Sequence, residues 1–189
     1  MSILLYAESA EGKFKKVALE LASYAKKVAD SIGTTVTALT VNATDVSELS
    51  KYGVDKVIKV NDSKLSGFSA KAYSNIIEQA AKKEGSKLVL LSSSTDSLYL
   101  APLVSVSLQA GFASNVIGLP VSTSPFQVKR TAFSNKAFNI TEINTDVKVI
   151  SLSKNSYGVV ENASTLKEED FNPSLADSDF GIKIESVEK

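Results

Sequence analysis

The chain has 189 residues, 43% of them hydrophobic, with 21 Lys plus Arg against 21 Asp plus Glu, so it has enough apolar content for a core and no formal net charge. That length suits one ordinary domain plus an extension rather than two full domains, and a neutral chain has no basic stripe to neutralise a run of phosphates, which excludes nucleic acid as an expected partner. The sequence holds neither His nor Cys, which removes the usual neutral-pH proton shuttle, the thiolate nucleophile and the commonest transition-metal ligands together.

No apolar run approaches the ~18 residues of a membrane span. The N-terminus MSILLYAES lacks the basic and long apolar regions of a signal peptide, so a cytoplasmic protein not inserted in a membrane is expected. Ile3 to Ala7 is a short apolar run suited to a buried parallel strand. Phe14, Val17, Ala18, Leu21, Ala25, Val28 and Ile32 then recur at helical spacing. Gly33 stands where a left-handed helix end is expected, and the β-branched stretch Thr34 to Val41 follows as a strand. Thr44 or Asp45 caps a short helix ending near Gly53, and Lys56 to Val60 is the next strand. Tyr73, Ile76, Ile77, Ala80 and Ala81 form the inner stripe of a helix closed by Gly85, ahead of a strand from Leu88 to Leu91.

A further helix is expected from Leu98 to Ala110. It is apolar nearly all round, which implies cover by the sheet on one side and a partner on the other, and Pro102 fits only near its first turn. This alternation predicts an α/β fold with a doubly wound, mainly parallel sheet flanked by helices. From Phe126 the pattern turns to period two through FQVKRTAFSNKAFNITEINTDVKVISLS, with polar breaks at Ser134–Lys136 and Asn144–Asp146. That predicts an added antiparallel hairpin or three-stranded region. The first 153 residues are thus expected to form the domain, and residues 154–189, polar and acidic apart from a final alternation of Ile182, Ile184 and Val187, a linker or wrapping tail.

Candidate sites are few. The loop Ser92-Ser93-Ser94-Thr95-Asp96 falls at the carboxyl end of a parallel strand, where open α/β sheets place ligands or partners. Ser93, Ser94 and Thr95 suit either a phosphate, through helix-terminal amides, or simple capping of those amides. The loop has no glycine for close backbone approach, which favours the cap. Glu8-Ser9-Ala10-Glu11-Gly12-Lys13 matches no nucleotide-binding loop and reads as a turn, with Glu8 the nearest thing to a hydrolytic carboxylate. Arg130, beside Thr131 in a mostly apolar strand, is either an exposed strand residue or an interface anchor. Phe126, Phe133 and Phe138, without a basic frame, read as core or interface rather than as base-stacking platforms.

Three stretches together carry a resemblance: ILLYAESAEGKFKKVALELASYAKKVADSIG, LLSSSTDSLYLAPLVSVSLQAGFASNVIGL and FQVKRTAFSNKAF. In order and spacing they resemble the electron transfer flavoprotein α subunit, the last through its Arg-Thr-x-x-x-Asn segment, carried here by Arg130, Thr131 and Asn135. The resemblance implies a heterodimer with the electron transfer flavoprotein β subunit. It also implies electrons taken from flavin dehydrogenases such as acyl-CoA dehydrogenases and passed to a quinone oxidoreductase. Family members continue into a second domain that holds most of the FAD contacts, whereas this sequence stops at Glu188-Lys189. The resemblance therefore implies an N-terminal scaffold and interface domain without its own catalytic residues. It places FAD on the full-length protein rather than on this stretch, and makes the acidic tail a connector toward the absent half. A stand-alone adenine-nucleotide-binding module is the alternative.

Overall fold

In the computed structural model, which describes residues 2–182, strand β1 (Ser2–Tyr6) is buried along its whole length. A two-residue ribbon follows, Ser9–Ala10 against Lys13–Phe14. Its turn places Glu11 at φ 52° and Gly12 at φ 78°, the doubly left-handed backbone that a tight hairpin of this hand requires. Helix α1 (Lys16–Ile32) ends on Gly33 at φ 67°, whose N–H donates to the Ala29 carbonyl. Strand β2 (Thr35–Val41) leads to a 3₁₀ turn at Ser47–Tyr52, where the Asp45 carboxylate accepts from the Ser47 amide at 2.8 Å. Then come β3 (Lys56–Val60), α2 (Ala70–Glu84), β4 (Leu88–Ser92), α3 (Thr95–Ser107) and β5 (Gly111–Val116). The hairpin β6 (Phe126–Ala132) and β7 (Ala137–Glu142), strand β8 (Lys148–Leu152) and strand β9 (Lys167–Asp170) complete the sheet.

The sheet order is β7-β6-β5-β8-β4-β1-β2-β3-β9, with the Ser122–Thr123 bridge on β6 as a short tenth strand. Strands β5 to β9 along that order run parallel, while β6 and β7 run antiparallel. The expected α/β architecture with a mainly parallel sheet is therefore the observed one. Alternate side chains of β1 serve opposite layers. Ile3 and Leu5 join Leu21, Ala25 and Val28 of α1. Leu4 joins Ile76, Ile77 and Ala80 of α2 and Leu100 and Val104 of α3. Each such Leu or Ile, fully buried, stabilises by roughly 1.5–3 kcal/mol. The chain moves outward from β1 through β2 to β3, then returns to β4 on the other side of β1, so the crossovers change direction between β1 and β4.

Several expectations are corrected. Helix α3 starts at Thr95, because Ser94 caps it by accepting from the Ser97 amide, and it ends at Ser107 rather than Ala110. Pro102 is consequently mid-helix and not in the first turn, on the exposed side. Phe14 lies in the ribbon before α1, and Ile32, assigned to the inner stripe, is exposed on the last turn. Lys148–Leu152 is not a third antiparallel strand: it is parallel between β4 and β5, with Val149, Ile150, Ser151 and Leu152 all buried. A strand covered on both faces needs a continuous apolar run, and Ser151 made this one resemble alternation. Strand β5, GFASNV, has little β propensity and was not anticipated.

After Lys154 the described residues make contacts with α1, β3 and α2. The Glu20 carboxylate of α1 accepts from the amides of Asn155, Tyr157 and Gly158, each at 2.9 Å. Strand β9 then adds to β3, and farther on Asp179 pairs with Lys71 at 3.3 Å. Of the final alternation only Ile182 belongs to the described residues; Ile184 and Val187 lie outside them.

Candidate functional site

Where the crossovers change direction, the carboxyl ends of β1 and β4 diverge and open a crevice, the usual ligand position of an open α/β sheet. Here the crevice is filled by Glu8, which follows β1 and is buried. Its Oε1 accepts from the hydroxyls of Ser92, at the end of β4, and Ser97, in the first turn of α3, the latter at 3.2 Å. Its Oε2 accepts from Lys15 Nζ at 3.1 Å. Both carboxylate oxygens are thus engaged in ties that join β1, β4, α1 and α3. That makes Glu8 a cross-brace and leaves neither oxygen free for hydrolytic chemistry.

The loop above it is divided in its roles. Ser94 caps α3, Thr95 is exposed, and Ser93 donates its amide to the Leu152 carbonyl at 2.9 Å. The Ser93 hydroxyl is buried without a hydrogen-bond partner among the described residues. Beside the loop is an open cavity of about 560 Å³, lined by Lys15, Lys16, Lys154, Val17, Asp96 and the loop serines. Its donors suit a small anion. An FAD does not fit this lining, which offers one apolar side chain, no aromatic plane for the ring system, and the Asp96 carboxylate facing any phosphate. No group of three or more acidic residues that could hold a metal ion occurs among the described residues.

The outer side of α3 is a different kind of surface. Between Thr95 and Ser107 the only charged residue is Asp96. Ser97, Leu100, Ala101 and Val104 pack inward. Leu98 and Tyr99 remain 65% exposed, Leu103 42% and Val106 78%. Positions 98, 99, 102, 103 and 106 fall on one stripe of a helix, so the sequence expectation of a second covering partner corresponds to a bare apolar face here. Single exposed apolar residues are ordinary, whereas a contiguous set marks a docking surface.

The hairpin carries the three residues singled out by sequence but does not gather them. Arg130 and Thr131 are neighbours along β6 and so project to opposite faces, while Asn135 is exposed in the turn at φ 66°. Arg130 is half-buried; one Nη donates to Ser114 Oγ at 3.2 Å, and its Nε is buried without a partner among the described residues. Phe126 belongs to the core, whereas Phe133 and Phe138 are exposed, and Lys129 Nζ stands 4.5 Å over the Phe138 ring. Sequence reasoning missed Glu20, whose partners lie 135 to 138 residues away. A glutamate at a position on the buried side of an amphipathic helix was the available signal. No helix among the described residues is long and apolar enough to cross a membrane.

Comparison with known proteins gives a consistent picture. The profile of the electron transfer flavoprotein domain matches residues 3–174. The chain is 27% identical to the electron transfer flavoprotein subunit alpha of Thermoanaerobacterium thermosaccharolyticum over 99% of its own length and 59% of that relative. It is 29% identical to the lactate dehydrogenase (NAD(+),ferredoxin) subunit LctC of Acetobacterium woodii, over 76% of this chain and 35% of the relative. It is 24% identical to the acryloyl-CoA reductase electron transfer subunit beta of Anaerotignum propionicum, over 66% of this chain and 35% of the relative. The chain spans 59% or less of the length of each of these proteins.

Proposed function

The chain belongs to the electron transfer flavoprotein domain family, and from that membership we propose that it is the scaffold and subunit-interface part of an α-type subunit in a heterodimeric, FAD-containing electron carrier. The observation that carries this reading is the outer face of α3, apolar over two turns and uncovered. FAD supplies the electron-carrying ring of such an assembly. This chain holds a flavin-bearing domain and a β subunit in register by shape and apolar contact. The polar groups of the crevice are spent on internal ties, with Glu8 joining four elements, which supports a rigid docking platform rather than a reaction centre. The complete carrier takes electrons from flavin dehydrogenases such as acyl-CoA dehydrogenases and delivers them to a quinone oxidoreductase. Two relatives, a lactate dehydrogenase (NAD(+),ferredoxin) subunit and an acryloyl-CoA reductase electron transfer subunit, support electron delivery as the shared theme.

The test is to mix the purified chain with a cognate β subunit and follow co-elution by size exclusion. A complex is expected, and the chain alone is expected to show no flavin absorbance. A β subunit that binds full-length α but not this chain contradicts the proposal.

A second reading, an adenine-nucleotide-binding module, has one observation in its favour: Lys15, Lys16 and Lys154 line the cavity at the start of α3. Against it, Ser94 already satisfies the helix terminus, Lys15 is drawn to Glu8, and Asp96 stands in the lining. Calorimetry with AMP and ATP decides, since absent or millimolar binding removes this reading.

A further inference from the structure

The two ends of the sheet are finished differently. At one end β9 is four charged residues, KEED, with Glu168 held by Lys59 and Glu169 by Lys56 and Lys83. Short, charged edges resist pairing with another chain. At the other end β7 is six residues, AFNITE, with no proline and, among the described residues, no pairing partner on its outer side. Phe138 is 59% exposed there and Ile140 51%.

The hydrogen-bond phase of the hairpin decides which backbone groups that edge offers. The Ile143 amide donates to the Phe126 carbonyl, whereas the carbonyls of Gln127 and Lys129 accept from Val121 and Ile117 on the other side of β6. In an antiparallel ladder each residue turns both its polar groups the same way, alternating along the strand. With Ile143 turned toward β6, and Ala137, Asn139 and Thr141 in the same phase, the N–H and C=O groups of Phe138, Ile140 and Glu142 face the open edge.

From this we infer that β7 pairs with β7 of a second copy of this chain, antiparallel across a two-fold axis at Asn139. The phase permits only registers that set even-numbered residues opposite one another. Centring on Asn139 sets Phe138 against Ile140 of the second copy, and Lys136, just before the strand, against Glu142 of the second copy. Both pairings occur twice by symmetry. A two-residue slip in one direction sets Phe138 against Phe138 and strands Lys136 opposite Ile140; a slip in the other sets Phe138 against Glu142. Only the Asn139 register joins apolar with apolar and opposite charges together, the pairings that stabilise neighbouring strands. In the single chain Glu142 accepts from Gln127 Nε2 at 2.8 Å and Lys129 lies over Phe138. These contacts lie on the same face as the proposed pairs, so the side chains are already arrayed along the edge. An isologous contact of this kind uses up both open edges and closes at two copies. The inference does not depend on the docking role of α3.

Sedimentation from micromolar to near-millimolar protein reads the outcome. A monomer–dimer equilibrium is expected. Lys136→Glu weakens it by about tenfold, as does Glu142→Lys, because each reverses two symmetry-related pairs. An equimolar mixture of the two variants recovers wild-type association, since Lys136 faces Glu142 across one side of the mixed pair and the reversed charges face each other across the other. Ile140→Pro removes an outward N–H but no bond to β6, so it abolishes the dimer while the circular dichroism spectrum stays native. A monomer at every concentration overturns the inference. So does a dimer that these variants leave unchanged, or a mixture that fails to recover.

Discussion

Helices α1 and α3 cover opposite faces of one sheet, yet only α1 is finished on its outer side. It buries Leu21, Ala25 and Val28 and turns Lys16, Lys27, Asp30 and Ser31 to solvent, with Lys26 and Asp30 paired at 2.7 Å. It also anchors the segment that follows β8, because Glu20 accepts from the backbone amides of Asn155, Tyr157 and Gly158. Helix α3 buries an equally apolar inner side and leaves Leu98, Tyr99, Leu103 and Val106 bare. The contrast separates two kinds of helix surface: the outer side of α1 is polar, and the outer side of α3 is bare and apolar, which is where the proposed partner would dock.

The sharpest test of that division within the fold is Leu100→Ala. Leu100 is fully buried on the inner side of α3, so its loss is expected to destabilise by about 3 kcal/mol in denaturant unfolding. A change near zero means the inner side is as loosely packed as the outer. Glu20→Ala comes next. It orphans three amides in a partly buried turn and is expected to lower stability by about 2 kcal/mol, with faster proteolysis after Lys154. If the tail stays protected, α1 is not its anchor.

Acid provides a graded version of the same comparison. Lys56 and Lys83 hold the Glu169 carboxyl down to about 2 from its ordinary 4.5. For Glu20, burial works to raise the value, but the amides of Gly158, Tyr157 and Asn155 outweigh it and leave it lowered. A carboxyl depressed by folding stabilises above its unfolded value and loses that contribution as pH falls toward the folded one. Amide protection of residues 167–170 should therefore decline between about pH 4.5 and 2, and that of residues 155–158 as pH falls below the ordinary carboxyl range, while that of α3, with its one charged residue, persists. Simultaneous loss in both regions breaks the distinction. Arg130→Ala is smaller still. With one bond to Ser114 and an unpartnered Nε, the side chain is expected to contribute under about 1 kcal/mol to folding and more to partner association, read by thermal melts beside β-subunit binding. A large drop in melting temperature with unchanged binding reverses that ranking.

Much of this was legible in the residues. The stripe Tyr73, Ile76, Ile77, Ala80 and Ala81 is buried as read, and Gly33, Gly53 and Gly85 end their helices in the left-handed conformation. The incomplete cover of α3 was visible as a helix with almost no charge. What stayed hidden depends on partners distant in sequence. Strand β5 holds its place through β8, thirty-five to forty residues later, and not through its own propensity. The register of β8 between β4 and β5, and the grip of Glu20 on Asn155 and its neighbours, likewise exist only once the chain has closed. Arg130, Thr131 and Asn135 looked like one cluster because they are close in sequence; strand alternation and the turn disperse them.

The most direct measurement of the central claim compares β-subunit affinity for wild-type chain, for a Leu98→Ser, Val106→Ser double variant on the outer side of α3, and for Lys27→Ser on the outer side of α1. All three should unfold within about 0.5 kcal/mol of one another, as surface substitutions do. The α3 variant alone is expected to lose at least about tenfold in affinity, in line with truncation at the centre of an interface. Equal affinity for all three proteins would contradict it.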